Sequence, residues 1–212
     1  MSGSIEKLVR VATPSLAPGP VMLSVRPGSG DSRLVTDWLT LLEARNGFYC
    51  FESALHVFPS RTNGRHLGLD EWNSPELWRK EYAGLDRGVF FVAEDIFGCQ
   101  FGLVEDYICT FDPETGQFEQ LCRSVAEWSE LILDDFNLHT GYPLAHEWQS
   151  RFGALATGKR LAPKTPFVLG GEFAIENLFA CEAVAGMKAR GNLARQLVNV
   201  PDGTAIEYSI VD

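Results

Sequence analysis

The sequence predicts a mixed helix-and-strand fold in which a block of consecutive strands is flanked by helices. Two observations carry this. Apolar residues follow helical spacing from Leu34 to Leu42, switch to a period of two after Gly88, and return to helical spacing after Ser124. Turn and cap residues fall where the period changes. With 212 residues, 45% of them hydrophobic, the chain can bury a substantial core as one domain, or as one domain with a C-terminal extension.

Residues 1–32 read as a loose leader, because Pro14, Pro18 and Pro20 are followed by the turn cluster Arg26-Pro27-Gly28-Ser29-Gly30, with at most an edge strand at Val21 to Val25. Asp31 or Ser32 then caps a helix carrying Leu34, Val35, Trp38, Leu41 and Leu42, which Asn46-Gly47 stops. Phe48 to Phe58 is apolar with no clear period, and Asp70 to Tyr82 suits a short helix bearing Trp72 and Trp78. Val89 to Ala93 is an apolar run suited to a central strand, and Gln100 to Val104 and Tyr107 to Phe111 alternate as half-buried strands do. Asp112-Pro113-Glu114-Thr115-Gly116 makes a hairpin turn into Gln117 to Cys122, with Pro113 at the first corner and Gly116 free to take positive φ. Ser124 and Glu127 form an S-x-x-E capping box for a helix with Val125, Trp128, Leu131 and Ile132 on one face.

Residues 138–212 read as an extension. A helix starts near Pro143, with Leu144, Trp148, Phe152 and Leu155 spaced for burial, and ends at Gly158. After a basic loop at Lys159, Arg160 and Lys164, Phe167 to Leu169 and Glu172 to Ile175 flank Gly170-Gly171 as a tight hairpin. Asn177 to Cys181 continues as a strand, Glu182 to Leu197 as a helix, and Ala205 to Val211 as a final strand after Pro201-Asp202-Gly203.

Charge is the most informative feature for function. Glu94 to Asp135 holds eleven carboxylates and one base, Arg123, so this segment alone accounts for the net charge of −10. Apolar residues are interleaved with the acids, so the block is expected to fold and to present its charge on a rigid surface. Such a surface repels nucleic-acid phosphates, and no Lys/Arg cluster is large enough to bind them. Five scattered cysteines without CxxC spacing point to reduced thiols in a cytoplasm, not to a disulfide framework or a zinc cage. No segment resembles a signal peptide, and no run approaches the roughly 18 apolar residues of a membrane helix.

Phe90-Phe91-Val92-Ala93-Glu94-Asp95-Ile96-Phe97-Gly98, then Gln100-Phe101-Gly102, then Phe111-Asp112-Pro113-Glu114-Thr115-Gly116, then Ser124 with Glu127-Trp128, resembles the SUKH superfamily. That superfamily takes in the fungal Smi/Knr cell-wall regulators, the bacterial Syd protein and many bacterial immunity proteins. The resemblance covers roughly residues 34 to 137 and is most specific from 88 to 133. It implies an α+β domain at 33–137, with a curved, mainly antiparallel sheet packed on helices. The chain departs from the shortest members by a C-terminal α/β extension of helix and hairpin at 138–212, expected to pack on that core, whose Phe167-to-Leu178 block resembles longer members. The implied role is to bind other proteins without catalysis. Members similar to this chain are commonly predicted to neutralise toxins exchanged between competing bacteria.

The functional expectation is therefore an acidic face that covers the basic surface of a cationic toxin domain. Its expected contacts are Glu105, Asp106, Asp112, Glu114, Glu127, Glu130, Asp134 and Asp135. An interaction module for the cell's own machinery, Syd-like or signalling, is the alternative. A cysteine-dependent hydrolase using Cys50 and His56, with Asp70 or Glu52 as orienter, is the third reading, although Cys50 and His56 both sit in an apolar run. No catalytic residue, cofactor or metal set is expected. Neighbouring acids such as Glu94-Asp95 point to opposite faces of a strand, His146-Glu147 lacks a second histidine four residues on, and Gly170-Gly171 lacks the lysine of a phosphate loop.

Overall fold

Six strands pair antiparallel in chain order to form the central sheet: β1 (Phe48–Cys50), β2 (Leu55–Val57), β3 (Phe90–Glu94), β4 (Gln100–Val104), β5 (Tyr107–Phe111) and β6 (Phe118–Cys122). With the helices that cover it, this is the α+β architecture expected. The computed structural model describes residues 3–23, 33–198, 200, 201, 203 and 204. The capping residues Asp31 and Ser32 and the expected strand Ala205 to Val211 lie outside them.

One face of the sheet is apolar and carries three helices: α1 (Gly3–Val11), α2 (Arg33–Ala44) and, after the sheet, α4 (Val125–Asp134). Trp128 of α4 lies edge-on to Trp38 of α2 at 5.1 Å and to Phe101 of β4 at 5.6 Å, so one indole joins both layers. Helix α4 starts as the capping box requires at Ser124, whose hydroxyl accepts from Glu127 N at 3.1 Å. The Glu127 carboxylate reaches one residue further back than expected and accepts from Arg123 N at 2.9 Å.

The N-terminus corrects the expectation of a loose leader. Residues 3–11 form α1, which buries Ile5 and Leu8, and Ser4 Oγ donates to Ala126 O at 2.9 Å. The proline-containing segment after α1 is pinned beside β1 by Thr13 N donating to Tyr49 O and Leu16 N to Gly47 O, both at 2.9 Å. Residues 21–23 form no strand, and the rest of the expected edge strand lies outside the described residues.

On the other face lie the short helix α3 (Leu69–Trp72), a 3₁₀ turn at Arg79–Tyr82, and the C-terminal layer. This layer begins with α5 (Phe136–Thr140) and α6 (Tyr142–Phe152), continues through the two-stranded sheet of β7 (Lys159–Pro163) and β8 (Leu178–Glu182), and ends in α7 (Ala183–Leu197). Three expectations are corrected here. Helix α6 stops at Phe152, whose side chain is exposed. The basic loop is strand β7, with Arg160 buried. The Gly170-Gly171 hairpin is absent: Phe167–Leu169 is a 3₁₀ turn ending at Gly170, and the antiparallel partners are β7 and β8.

A bulge in β3 sets which of its side chains share a face. Phe91 pairs with Gly102 and Ala93 with Phe101, so one extra residue is accommodated and the strand changes phase. Phe91 and Glu94 then project to the same side of the sheet. That side also carries Tyr49, His56 and Gln100, each opposite its neighbour in register.

Candidate functional site

The acidic block divides into two sets. Glu105, Asp106, Asp112, Glu119, Glu127, Glu130, Asp134 and Asp135 are exposed, whereas Glu94, Asp95 and Glu114 are buried. Glu114 therefore leaves the expected contact set. Its Oε2 accepts from Val168 N at 2.9 Å, tying the β5–β6 turn to the C-terminal layer, and burial pushes its carboxyl above the usual range. Asp112 is exposed, but its Oδ1 accepts from Glu114 N at 2.8 Å and shapes the turn. It also sits at the opposite end of β5 from Glu105 and Asp106, about 20 Å from Asp106 at roughly 3.3 Å per strand residue.

What remains together is a ridge. Glu127, Glu130 and Asp134 share one face of α4 at spacings of three and four residues, and Asp135 continues it, capping α5 through Leu138 N at 3.1 Å. At the start of α4, Asp106 holds Arg123 at 2.8 Å, with both side chains more than 60% exposed, and Glu105 stands beside Asp106 in the β4–β5 turn. The block's lone base is thus already neutralised.

The buried acids build a polar centre under the C-terminal layer. Glu94 Oε1 accepts from Arg160 Nε at 2.8 Å and lies 3.0 Å from His56 Nδ1. Its Oε2 is 3.3 Å from Gln100 Nε2, and Gln100 in turn accepts from Trp72 Nε1 at 2.8 Å. Tyr49 stacks on His56 at 4.4 Å, with the Arg160 guanidinium 5.5 Å from the Tyr49 ring centre. Burial alone would raise the Glu94 pKa, but Arg160 and His56 overcome it and hold the carboxyl at about 2. Burial pushes the His56 imidazole down to about 4, against the opposing pull of Glu94. The ring is therefore neutral at pH 7, Nδ1–H donates to the carboxylate, and Nε2 presents a lone pair. Nε2 is buried without a protein partner, a deficit that ordinarily costs about 1–3 kcal/mol.

Beside this centre is a cavity of about 400 Å³. His56 and Glu94 line it, with Phe58, Leu67 and Trp72 from one side, Ala183 and Val184 of α7 from another, and Arg65, Gly158 and Glu182 completing the lining. Sequence reasoning weighs His56 as a base for Cys50 against a hydrogen-bonded, partly buried ring between Leu55 and Val57, and the structure has it buried and bonded to Glu94. Strand alternation separates His56 from Cys50: Cys50 is opposite Leu55 on the helix-covered face, with Sγ 4.0 Å from Leu8 O, and burial pushes its thiol up to about 12. Asp70 and Glu52 do not orient His56, since Glu94 does. The other candidate pair, Glu94-Asp95, separates as strand geometry requires: Glu94 enters the polar centre, and Asp95 Oδ1 caps the β3–β4 turn by accepting from Phe97 N and Cys99 N, both at 2.8 Å.

A hairpin that sequence reasoning misses supports the same region. Phe51, Glu52 and Ser53, which join β1 to β2, take φ values of 52°, 51° and 68°, a left-handed run without glycine. The extension holds it: His146 Nδ1 lies 2.9 Å from Glu52 Oε2, Gln149 Nε2 donates to Glu52 O at 2.8 Å, and Arg160 Nη1 donates to Ser53 O at 3.2 Å. Among the described residues no group of three side chains could hold a metal ion, and no helix is long and apolar enough to cross a membrane.

No family model and no curated protein matches the chain. Among solved structures, it is similar to the crystal structure of Atu4351 from Agrobacterium tumefaciens, with a TM-score of 0.51 and 15% identity over 88% of each chain. At that identity the likeness speaks for the α+β fold alone.

Proposed function

We propose that this is a SUKH-like protein that works by binding another protein, as an immunity protein that occludes the basic surface of a toxin domain. The carrying observation is the acidic ridge: Glu127, Glu130 and Asp134 on one face of α4, continued by Asp135 and by Glu105 and Asp106, with Arg123 already paired. A rigid helix holding carboxylates in fixed array is suited to a cationic partner. Complementary charge raises association from about 10⁵–10⁶ towards roughly 10⁸–10⁹ M⁻¹s⁻¹ at low salt. The ridge replaces the broader plate expected from sequence, because Glu114 is interior and Asp112 lies at the far end of β5.

The test is charge reversal. The double variant Glu130→Lys and Asp134→Lys alters exposed side chains outside the capping box and should leave the fold intact while weakening binding to a cationic protein partner; adding Glu127→Lys, which also removes the bond to Arg123 N, should weaken it further. Unchanged affinity at low salt removes the ridge from the mechanism.

A further inference from the structure

The cavity beside α7 lies on the face of the sheet opposite α4, so the acidic ridge does not use it. Its lining divides by chemistry. Phe58, Leu67, Trp72, Ala183 and Val184 form an apolar wall, with Phe58 and Trp72 stacked at 4.7 Å. His56 and Glu94 are buried and bonded to each other, and Arg160 at 2.8 Å balances that carboxylate within the protein. Arg65 and Glu182 remain, one cation and one anion, both exposed at the rim. The Arg65 guanidinium has no partner among the described residues, and Lys159 approaches Glu182 through Oε1, at 3.7 Å. Gly158, also in the lining, locates the other oxygen. A Cβ built on it would stand 3.8 Å from Glu182 Oε2 and 3.6 Å from Arg65 O, with no other atom beyond its chain neighbours within 4 Å. Arg65 O accepts no backbone hydrogen bond from the described residues. Two acceptors thus flank one open space, and an ammonium group entering it can donate to both.

A ligand bearing only a cation would meet Arg65, and one bearing only an anion would meet Glu182, whereas a zwitterion satisfies both. Acceptors and cation share the rim, so the ligand's two charges belong at one end and an apolar body at the other. We infer that this cavity binds a free α-amino acid with a large apolar side chain. Its ammonium group donates to Arg65 O and Glu182 Oε2, its carboxylate accepts from the Arg65 guanidinium, and its side chain packs against Phe58, Leu67, Trp72 and Val184. A volume of about 400 Å³ falls within the range of small-molecule sites. This does not depend on the protein-binding reading, because the two sites share no residue.

L-Phenylalanine, L-phenylalaninamide and 3-phenylpropanoate share one apolar body, but the second lacks the carboxylate and the third the ammonium group. Titrated into the full-length protein at pH 6 and followed by calorimetry, L-phenylalanine should bind saturably. Each of the other two should bind at least about tenfold more weakly, the least that loss of a charge-assisted hydrogen bond implies. Arg65→Gln should weaken L-phenylalanine about tenfold and spare the amide, whereas Glu182→Gln should weaken both and spare 3-phenylpropanoate. Both variants change exposed side chains and should keep the parent's Tm. An amide that binds as tightly as L-phenylalanine would make this a site for a peptide's amino terminus and overturn the proposal. So would an Arg65→Gln variant that weakens the amino acid and its amide equally, or no saturable binding of L-phenylalanine or L-leucine up to millimolar concentration.

Discussion

Arg160→Met tests whether the polar centre clamps the C-terminal layer to the sheet. The substitution keeps most of the side-chain volume and removes the charge. The Glu94 and Arg160 side chains are 2% and 3% exposed, so water cannot replace the lost partner. Breaking a buried pair by removing one member ordinarily costs about 3–5 kcal/mol, because the other charge stays behind. Glu94 would retain His56 at 3.0 Å and Gln100 at 3.3 Å, which offsets part of this, but the contact from Arg160 Nη1 to Ser53 O at 3.2 Å is also lost. The expected destabilisation is about 3–4 kcal/mol, a fall in Tm of roughly 6–16 °C for a chain of this size. Urea titration gives the energy and a thermal melt the shift. The double variant Glu94→Gln with Arg160→Met removes the stranded charge and should be more stable than Arg160→Met alone. A single variant within about 1 kcal/mol of the parent, or strictly additive effects, would refute the clamp.

Two more outcomes are expected from individual groups. Burial raises the Asp95 pKa from 3.8 to about 7, so the folded state retains a proton that the unfolded chain releases, and stability from this group is full below pH 3.8 and lost as pH rises through 7. Asp95→Asn keeps an oxygen to accept from Phe97 N and Cys99 N, and should raise Tm more at pH 8.5 than at pH 5, as melts at the two pH values will show. Gly171→Ala would place a methyl group 1.9 Å from Thr165 O, so it should loosen the 164–177 segment and increase limited proteolysis there, leaving protection of β3 to β5 unchanged in hydrogen exchange.

The central sheet from β3 to β6 is legible because each signal is local: alternation in the strands, Asp112-Pro113 and Gly116 in the turn, and Ser124 at the helix start. The β1–β2 hairpin is not legible, because its turn runs through Phe51, Glu52 and Ser53 in left-handed conformations that side chains from α6 and β7 hold in place. No glycine or proline marks it. Helix α1 is hidden by the prolines after it, although Ile5 and Leu8 already stand at helical spacing. Strand β7 reads as a loop because Arg160 and Lys159 suggest solvent. Arg160 is interior because Glu94, 66 residues away in sequence, needs it. A carboxylate closing the apolar run Phe90 to Ala93 is the available sign of a buried ion pair, but no local rule names its partner. For the acidic block, charge counting locates the ridge on α4, and only tertiary contacts reveal that Glu94, Asp95 and Glu114 are interior.

The most direct test is the salt dependence of association with a cationic protein partner, measured by stopped flow for the parent and for the variant carrying Glu127→Lys, Glu130→Lys and Asp134→Lys. The parent's association rate should fall by about tenfold or more as ionic strength rises from low salt to several hundred millimolar, and the variant should start slow and respond little. Rates that match between parent and variant at every salt concentration would contradict it.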